Sequence, residues 1–177
     1  MASVVFLRAV NVGKANRCRP ADIAKELAQF DVVNIGAVGT FVARRDVKET
    51  TLRAAFARTL PFKIDIMICP GGDILTLAAK NPFAKYPSDP AVTRFVNVLA
   101  KAPDPSHVTG HSSLALPSAN NWLVKIIAID GRFVLGIYRR EMKAIGYLGK
   151  IEKLFGVPAT NRNWNTVLKI AEVLGRG

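Results

Sequence analysis

The stretch Val4-Val5-Phe6-Leu7-Arg8-Ala9-Val10, continued by Asn11-Val12-Gly13-Lys14-Ala15-Asn16-Arg17-Cys18-Arg19 and then Pro20, decides the fold. Its first part is apolar and β-branched, as a strand requires, and its second is polar and contains glycine, as a connection requires. Pro20 suits the first turn of a helix, where its missing N–H is not needed, and Ile23, Ala24 and Leu27 follow as a buried stripe at helical spacing. Working outward, Val32 to Ile35 and Gly39 to Ala43 read as two short strands around a glycine-rich turn. Thr50 to Leu60 reads as a helix with Leu52, Ala55, Phe56 and Leu60 on its apolar face, ended by Pro61, and Ile64 to Cys69 as a further strand. The order β-α-β-β-α-β predicts a split βαβ, ferredoxin-like subdomain over residues 1–70.

Residues 71–177 predict a smaller α+β subdomain, so the fold class is α+β with a C-terminal part ending in a helix. Pro70-Gly71-Gly72-Asp73 reads as a turn with Asp73 capping a helix, and Thr93 to Ala100 as a strand. The stretch Ala102 to Asn120, with its Pro, Ser, Gly and His residues, reads as a long loop. Trp122 to Ile129 and Arg132 to Tyr138 form a hairpin over 122–138, with Asp130-Gly131 as its two-residue turn. A short helix is expected near Gly149 to Phe155 and a terminal helix over 161–174.

At 177 residues the chain can bury one substantial core or two small ones. Its longest apolar runs, such as Ile126-Ile127-Ala128-Ile129, fall far short of the roughly 20 residues of a membrane helix, so no membrane partner is expected. The N-terminus meets Arg8 before an apolar signal core can form, which predicts a cytoplasmic protein. Cys18 and Cys69 are then expected as reduced thiols. Lys and Arg number 25 against 13 Asp and Glu, a formal charge of +12, which favours anionic partners: nucleic acid, phosphorylated metabolites or acidic surfaces.

Two polar segments carry the candidate chemistry. Arg8, Asn11, Lys14 and Arg17 lie where the first strand runs toward a helix N-terminus, a place where unsatisfied N–H groups and the helix dipole attract anions. The spacing is neither a P-loop nor G-x-G-x-x-G. Near the other end, Thr160-Asn161-Arg162-Asn163-Trp164-Asn165-Thr166 is dense in amide, hydroxyl and guanidinium groups. Read as one helix, it sets Arg162, Asn165, Thr166 and Lys169 on one face and Trp164, Val167, Leu168, Ala171 and Leu174 on the other. An alternative for this segment is local capping, with Thr160 as the N-cap and Trp164 as a core anchor.

Other constellations point elsewhere. His107 and His111 flank Thr109-Gly110 in the long loop, so no metal site is expected, and no cofactor. Gly110-His111-Ser112-Ser113-Leu114 lacks the second glycine of a nucleophile elbow. Arg139-Arg140-Glu141-Met142-Lys143, with Tyr147, Lys150 and Lys153, reads either as a solvated face or as a track for a phosphate backbone, with Tyr138, Tyr147 or Trp164 for base stacking.

Both end segments are similar to those of the bacterial domain of unknown function 1697 family. That family carries Leu-Arg-Gly-Ile-Asn-Val-Gly-Gly followed by Lys-Asn-Arg; Leu7, Arg8, Asn11, Val12, Gly13, Lys14, Asn16 and Arg17 match, while Ala9 replaces a glycine. At its Gln-Ser-Gly-Asn-like turn this chain has Gly36-Ala37-Val38-Gly39-Thr40, which keeps the glycine character and loses the amide and hydroxyl groups, Thr40 being the polar residue left. Its Arg-Asn-Trp-Asn-Thr segment is matched by Arg162 to Thr166 after Leu154-Phe155-Gly156-Val157-Pro158. The resemblance implies a ferredoxin-like N-terminal subdomain with a smaller C-terminal unit, and it implies no reaction. The leading expectation is binding of a phosphate-bearing ligand, nucleic acid or nucleotide-like, by Arg8, Asn11, Lys14, Arg17, Arg162, Asn165, Thr166 and Lys169. An enzyme for a small phosphorylated or carboxylated substrate and a non-catalytic assembly protein are the alternatives.

Overall fold

The structure, a computed structural model, describes residues 1–111 and 113–176. Ser112, in the nucleophile-elbow comparison, lies outside the described residues. The chain divides into two compact units, Met1–Ala79 with Thr166–Gly177, and Lys80–Asn165. From the sequence a division at 70/71 is expected, with the whole terminal helix in the second part.

In the first unit, β1 (Ser3–Leu7) leads through a long loop to α1 (Pro20–Glu26), and a single 3-10 turn joins α1 to β2 (Val32–Asn34). Next come β3 (Thr40–Ala43), α2 (Glu49–Thr59), β4 (Ile66–Pro70) and α3 (Gly71–Lys80). The four strands form an antiparallel sheet in the order β2-β3-β1-β4, the ferredoxin-like arrangement that β-α-β-β-α-β predicts. Pro20 occupies the first turn of α1 as expected.

Alternation along β1 explains the burial on both sheet faces. Val5 and Leu7 join Ile23, Leu27, Leu52, Ala55 and Phe56 of the helices in one core. Val4 and Phe6, on the opposite face, are also fully buried. One expectation fails here: α3 begins at Gly71, directly after β4, so Asp73 sits inside its first turn rather than capping it. A glycine at 71 suits that abrupt junction because a Cβ would meet Leu174 at 2.8 Å and the Ala2 carbonyl at 3.0 Å.

The second unit contains β5 (Val92–Leu99), α4 (Pro105–Val108), β6 (Ala115–Leu116), β7 (Val124–Asp130), β8 (Phe133–Arg139), α5 (Met142–Leu148), α6 (Ile151–Phe155) and β9 (Ala159–Asn163). Its sheet runs β6-β7-β8-β5-β9, antiparallel throughout. Phe95, Leu99, Val124, Ile126 and Val134 pack with Ala144, Ile151 and Phe155 of the helices. The hairpin forms, with its turn one residue later than predicted: Asp130 pairs with Phe133, so Gly131-Arg132 make the two-residue loop, and Gly131 takes φ 58. Asp130 is thereby freed to meet Lys80 at 2.6 Å.

The largest departure from the sequence reading is at residues 159–163. They form β9, paired with β5, and the terminal helix α7 spans Trp164–Gly175 rather than 161–174. As an edge strand of the sheet, β9 pairs its inward-facing backbone groups with β5 and buries Ala159, Thr160 and Arg162. Among the described residues no helix is long and apolar enough to cross a membrane. Cys18 is half-buried and Cys69 buried, and neither is joined in a disulfide.

Candidate functional site

The loop between β1 and α1 is braced from within. Ala9, Asn11, Gly13 and Asn16 all take positive φ, between 51° and 67°. Asn11 holds the loop together: its Nδ2 donates to the Ala37 carbonyl at 2.7 Å, and its Oδ1 accepts from the Cys18 N–H at 3.0 Å. Asn tolerates the left-handed region, and its amide supplies one donor and one acceptor, which is what this junction uses. Arg8 pairs with Asp65 at 2.9 Å and is about one-third exposed. Lys14 and Arg17 are exposed and, among the described residues, have no carboxylate partner. Asn11, Arg17, Cys18, Arg19 and Ala37 line a shallow depression beside them.

Ala9 occupies the position where the resembled family has glycine, and with φ 54 it is strained as any L side chain is there. Ala9→Gly is expected to stabilise the first unit by about 0.5–1 kcal/mol, the relief of left-handed strain less the added chain entropy. A chemical-denaturation midpoint that falls instead would contradict this. The turn at 36–40 is likewise structural. Gly39 takes φ 75, a Cβ there would lie 2.8 Å from the Leu7 Cβ, and its carbonyl accepts from the Leu7 N–H at 2.8 Å. Thr40 is fully buried, so its hydroxyl is not presented to solvent.

The C-terminal group does not share a helix face. Arg162 lies on β9 opposite Val96, only 5% exposed, with Nη1 donating to the Thr160 Oγ1 at 2.7 Å and the Asn161 carbonyl at 2.8 Å. Burial pushes its pKa down to about 10, which leaves it protonated at neutral pH. Thr160 is thus a buried acceptor for Arg162 and not a helix cap. Trp164 is the packed residue expected, 3% exposed with its ring 5.0 Å from Phe83, while Leu168, expected beside it, is 42% exposed. Asn165 and Lys169 are exposed and Thr166 is half-buried. Arg162 and Asn165 belong to the second unit, and Arg8, Asn11, Lys14, Arg17, Thr166 and Lys169 to the first.

Within the second unit, Asn165 lines a cleft of about 250 Å³ with Ser88, Asp89, Pro90, Val92, Thr93, Arg94, Arg140, Asn163 and Trp164. The Pro87-Ser88-Asp89-Pro90 turn forms one wall, shaped by the Asp89 carboxylate accepting from the Ala91 N–H at 2.8 Å. Arg140 leaves the end of β8, held by its N–H to the Ala91 carbonyl (2.9 Å) and by Nε to the Thr93 Oγ1 (3.1 Å). Arg94, on β5, donates to the Ser88 Oγ at 3.3 Å. Among the described residues neither guanidinium has a carboxylate within 4.0 Å. Two planar donor forks, the Asn163 and Asn165 amides and the start of α7 therefore converge on one small volume, a set suited to an oxyanion. Asp89 is the one carboxylate in the lining, and its bond to the turn fixes Oδ1 on the backbone.

Arg94, Thr93 and Asn163 were missed from sequence. Arg94 sat inside a strand predicted from alternation, and Arg140 inside a basic run. Only the pairing of β5 with β8 and β9 puts them beside Asn165. Among the described residues no cluster of three His, Cys, Asp or Glu side chains is arranged for a metal.

The family model described as a protein of unknown function (DUF1697) matches residues 1–119. Among solved structures, the conserved bacterial protein SP0830 from Streptococcus pneumoniae is similar, with a TM-score of 0.66, 98% of each chain covered and 19% identity, a likeness of fold. No curated protein matches the chain.

Proposed function

The chain belongs to the DUF1697 family, and on that premise we propose that it binds a phosphate-bearing ligand in the cleft formed by Arg94, Arg140, Asn163 and Asn165. The observation that carries this reading is the convergence of two guanidinium groups without carboxylate partners on one cleft at the start of α7. Arg140 and Arg94 each spend one nitrogen on a neighbouring hydroxyl, which orients the fork and leaves its other nitrogens for phosphate oxygens. Asn163 and Asn165 supply neutral donors that fix orientation. A volume of about 250 Å³ suits a compact phosphorylated group rather than a large cofactor.

Calorimetric titration with inorganic phosphate and with a nucleoside monophosphate tests the reading. Saturable binding is expected, weakened about tenfold by Arg140→Gln, since a charge-assisted hydrogen bond contributes about 1.5–3 kcal/mol. Absence of saturable binding to both, or an Arg140→Gln variant that binds as the parent does, defeats it.

A further inference from the structure

The strand register brings three cations to one end of the second unit's sheet. Arg94 of β5 and Lys125 of β7 both pair with Ile137 of β8, so all three residues point to the same face, and Arg139, two residues beyond Ile137, points there too. Arg94 also lines the cleft. Beside this row stands Trp122, with the Lys125 Nζ 4.5 Å and the Arg139 guanidinium 4.4 Å from its ring centroid. Arg139 is further anchored by Nε on the Trp122 carbonyl at 2.8 Å. Among the described residues, neither Lys125 nor Arg139 has a carboxylate partner, and the terminal nitrogens of Arg139 have no hydrogen-bond partner.

We propose that a single-stranded nucleic acid lies across this sheet end, with one phosphate in the Arg94/Arg140 cleft, following phosphates on Arg139 and Lys125, and a base against Trp122. This rests on the cleft reading above and adds the class of ligand. Side chains two strands apart are separated by about 9.5 Å, within the reach of neighbouring phosphates on one flexible strand. Cation–π contacts hold Lys125 and Arg139 against the indole, so that their ordering is largely complete before a strand arrives. An aromatic ring set among unpaired cations is the combination that sequence-tolerant single-strand binders use. A free mononucleotide would use the cleft alone and leave the Trp122 cations without a role. The second unit as a whole carries twelve Lys and Arg against five Asp and Glu, which supports the same sign of ligand.

Fluorescence anisotropy with a labelled oligouridylate, its duplex counterpart and calorimetry with uridine monophosphate on the full chain provide the test. The oligonucleotide should bind at least about tenfold more tightly than the mononucleotide and more tightly than the duplex. Its log affinity should fall with log salt, at about 0.7 per phosphate neutralised. The Lys125→Gln/Arg139→Gln double variant should weaken the oligonucleotide about tenfold, reduce that slope by about 1.4, and leave uridine monophosphate binding unchanged. Trp122→Ala should weaken the oligonucleotide about fivefold or more. If uridine monophosphate binds and the oligonucleotide binds no better, the nucleic-acid proposal falls while the cleft reading stands. If neither binds, the cleft reading falls as well. Tighter binding of the duplex, or oligonucleotide affinity unaltered in the double variant, overturns the single-strand proposal.

Discussion

Gly136→Ala is expected to lower the melting temperature by about 10 °C. A Cβ at position 136 would sit 2.5 Å from the Cζ and 2.6 Å from the Cε1 of Phe95, and closer still to the Lys125 carbonyl. Neither neighbour can yield cheaply. The Lys125 carbonyl belongs to β7, and the Phe95 ring is fully buried, lying across Gly136 and against Tyr138 at 6.0 Å between centroids. The substitution therefore pushes on the middle of a three-strand ladder, where overpacking costs about 3 kcal/mol or more. At about 2–4 °C per kcal/mol for a chain of this size, that gives the stated shift. Differential scanning calorimetry checks it. A change under 2 °C would mean that the strands at 95, 126 and 136 are not in this register. β5 carries Arg94 and β8 leads directly into Arg140, so a Gly136→Ala chain that still folds should also bind phosphate less well.

Arg162→Ala is expected to destabilise the chain by about 3 kcal/mol, again about 10 °C, while changing phosphate affinity less than twofold when measured well below the transition. Arg162 is nearly inaccessible, and its guanidinium serves the Thr160 hydroxyl and the Asn161 carbonyl. Truncation leaves those acceptors buried without their donor and opens space where a long side chain had packed. Arg162→Lys should recover only part of the loss, because an ammonium cannot reproduce the planar fork. A variant that kept its melting temperature and lost phosphate binding would reverse the assignment, making Arg162 the ligand contact that the helical reading of this segment implies. Paired with Arg140→Gln, which should lose affinity and keep stability, the two variants separate structural from ligand-binding arginines.

The contrast between these arginines explains which parts of the molecule were legible in the sequence. The first sheet was legible because its elements are local: Val4 to Leu7 form one continuous apolar run, Pro20 opens α1, and Leu52, Ala55 and Phe56 recur at helical spacing. Arg162 was misread because Arg-Asn-Trp-Asn-Thr precedes an amphipathic helix and contains good capping residues, so local rules extend the helix back through it. Pairing with β5, some sixty residues away in sequence, prevails over that local preference and converts 159–163 into a strand. A helical face of Arg162, Asn165, Thr166 and Lys169 then cannot exist. Asn11, read from the sequence as a ligand-orienting residue, uses its amide on Ala37 and Cys18 to brace the loop.

By itself the sequence determined the fold class, the ferredoxin-like order of the first sheet and the hairpin of the second. Each of these follows from near-neighbour periodicity or turn chemistry. Tertiary structure alone decided which cations face solvent and which are buried, and which of them meet. Arg94, Arg140 and Asn165 are brought to one cleft from three separate segments by antiparallel register, and register is set by the burial of Phe95, Val96 and Leu135 across strands. That burial depends on contacts between distant residues, which no local pattern in the chain encodes.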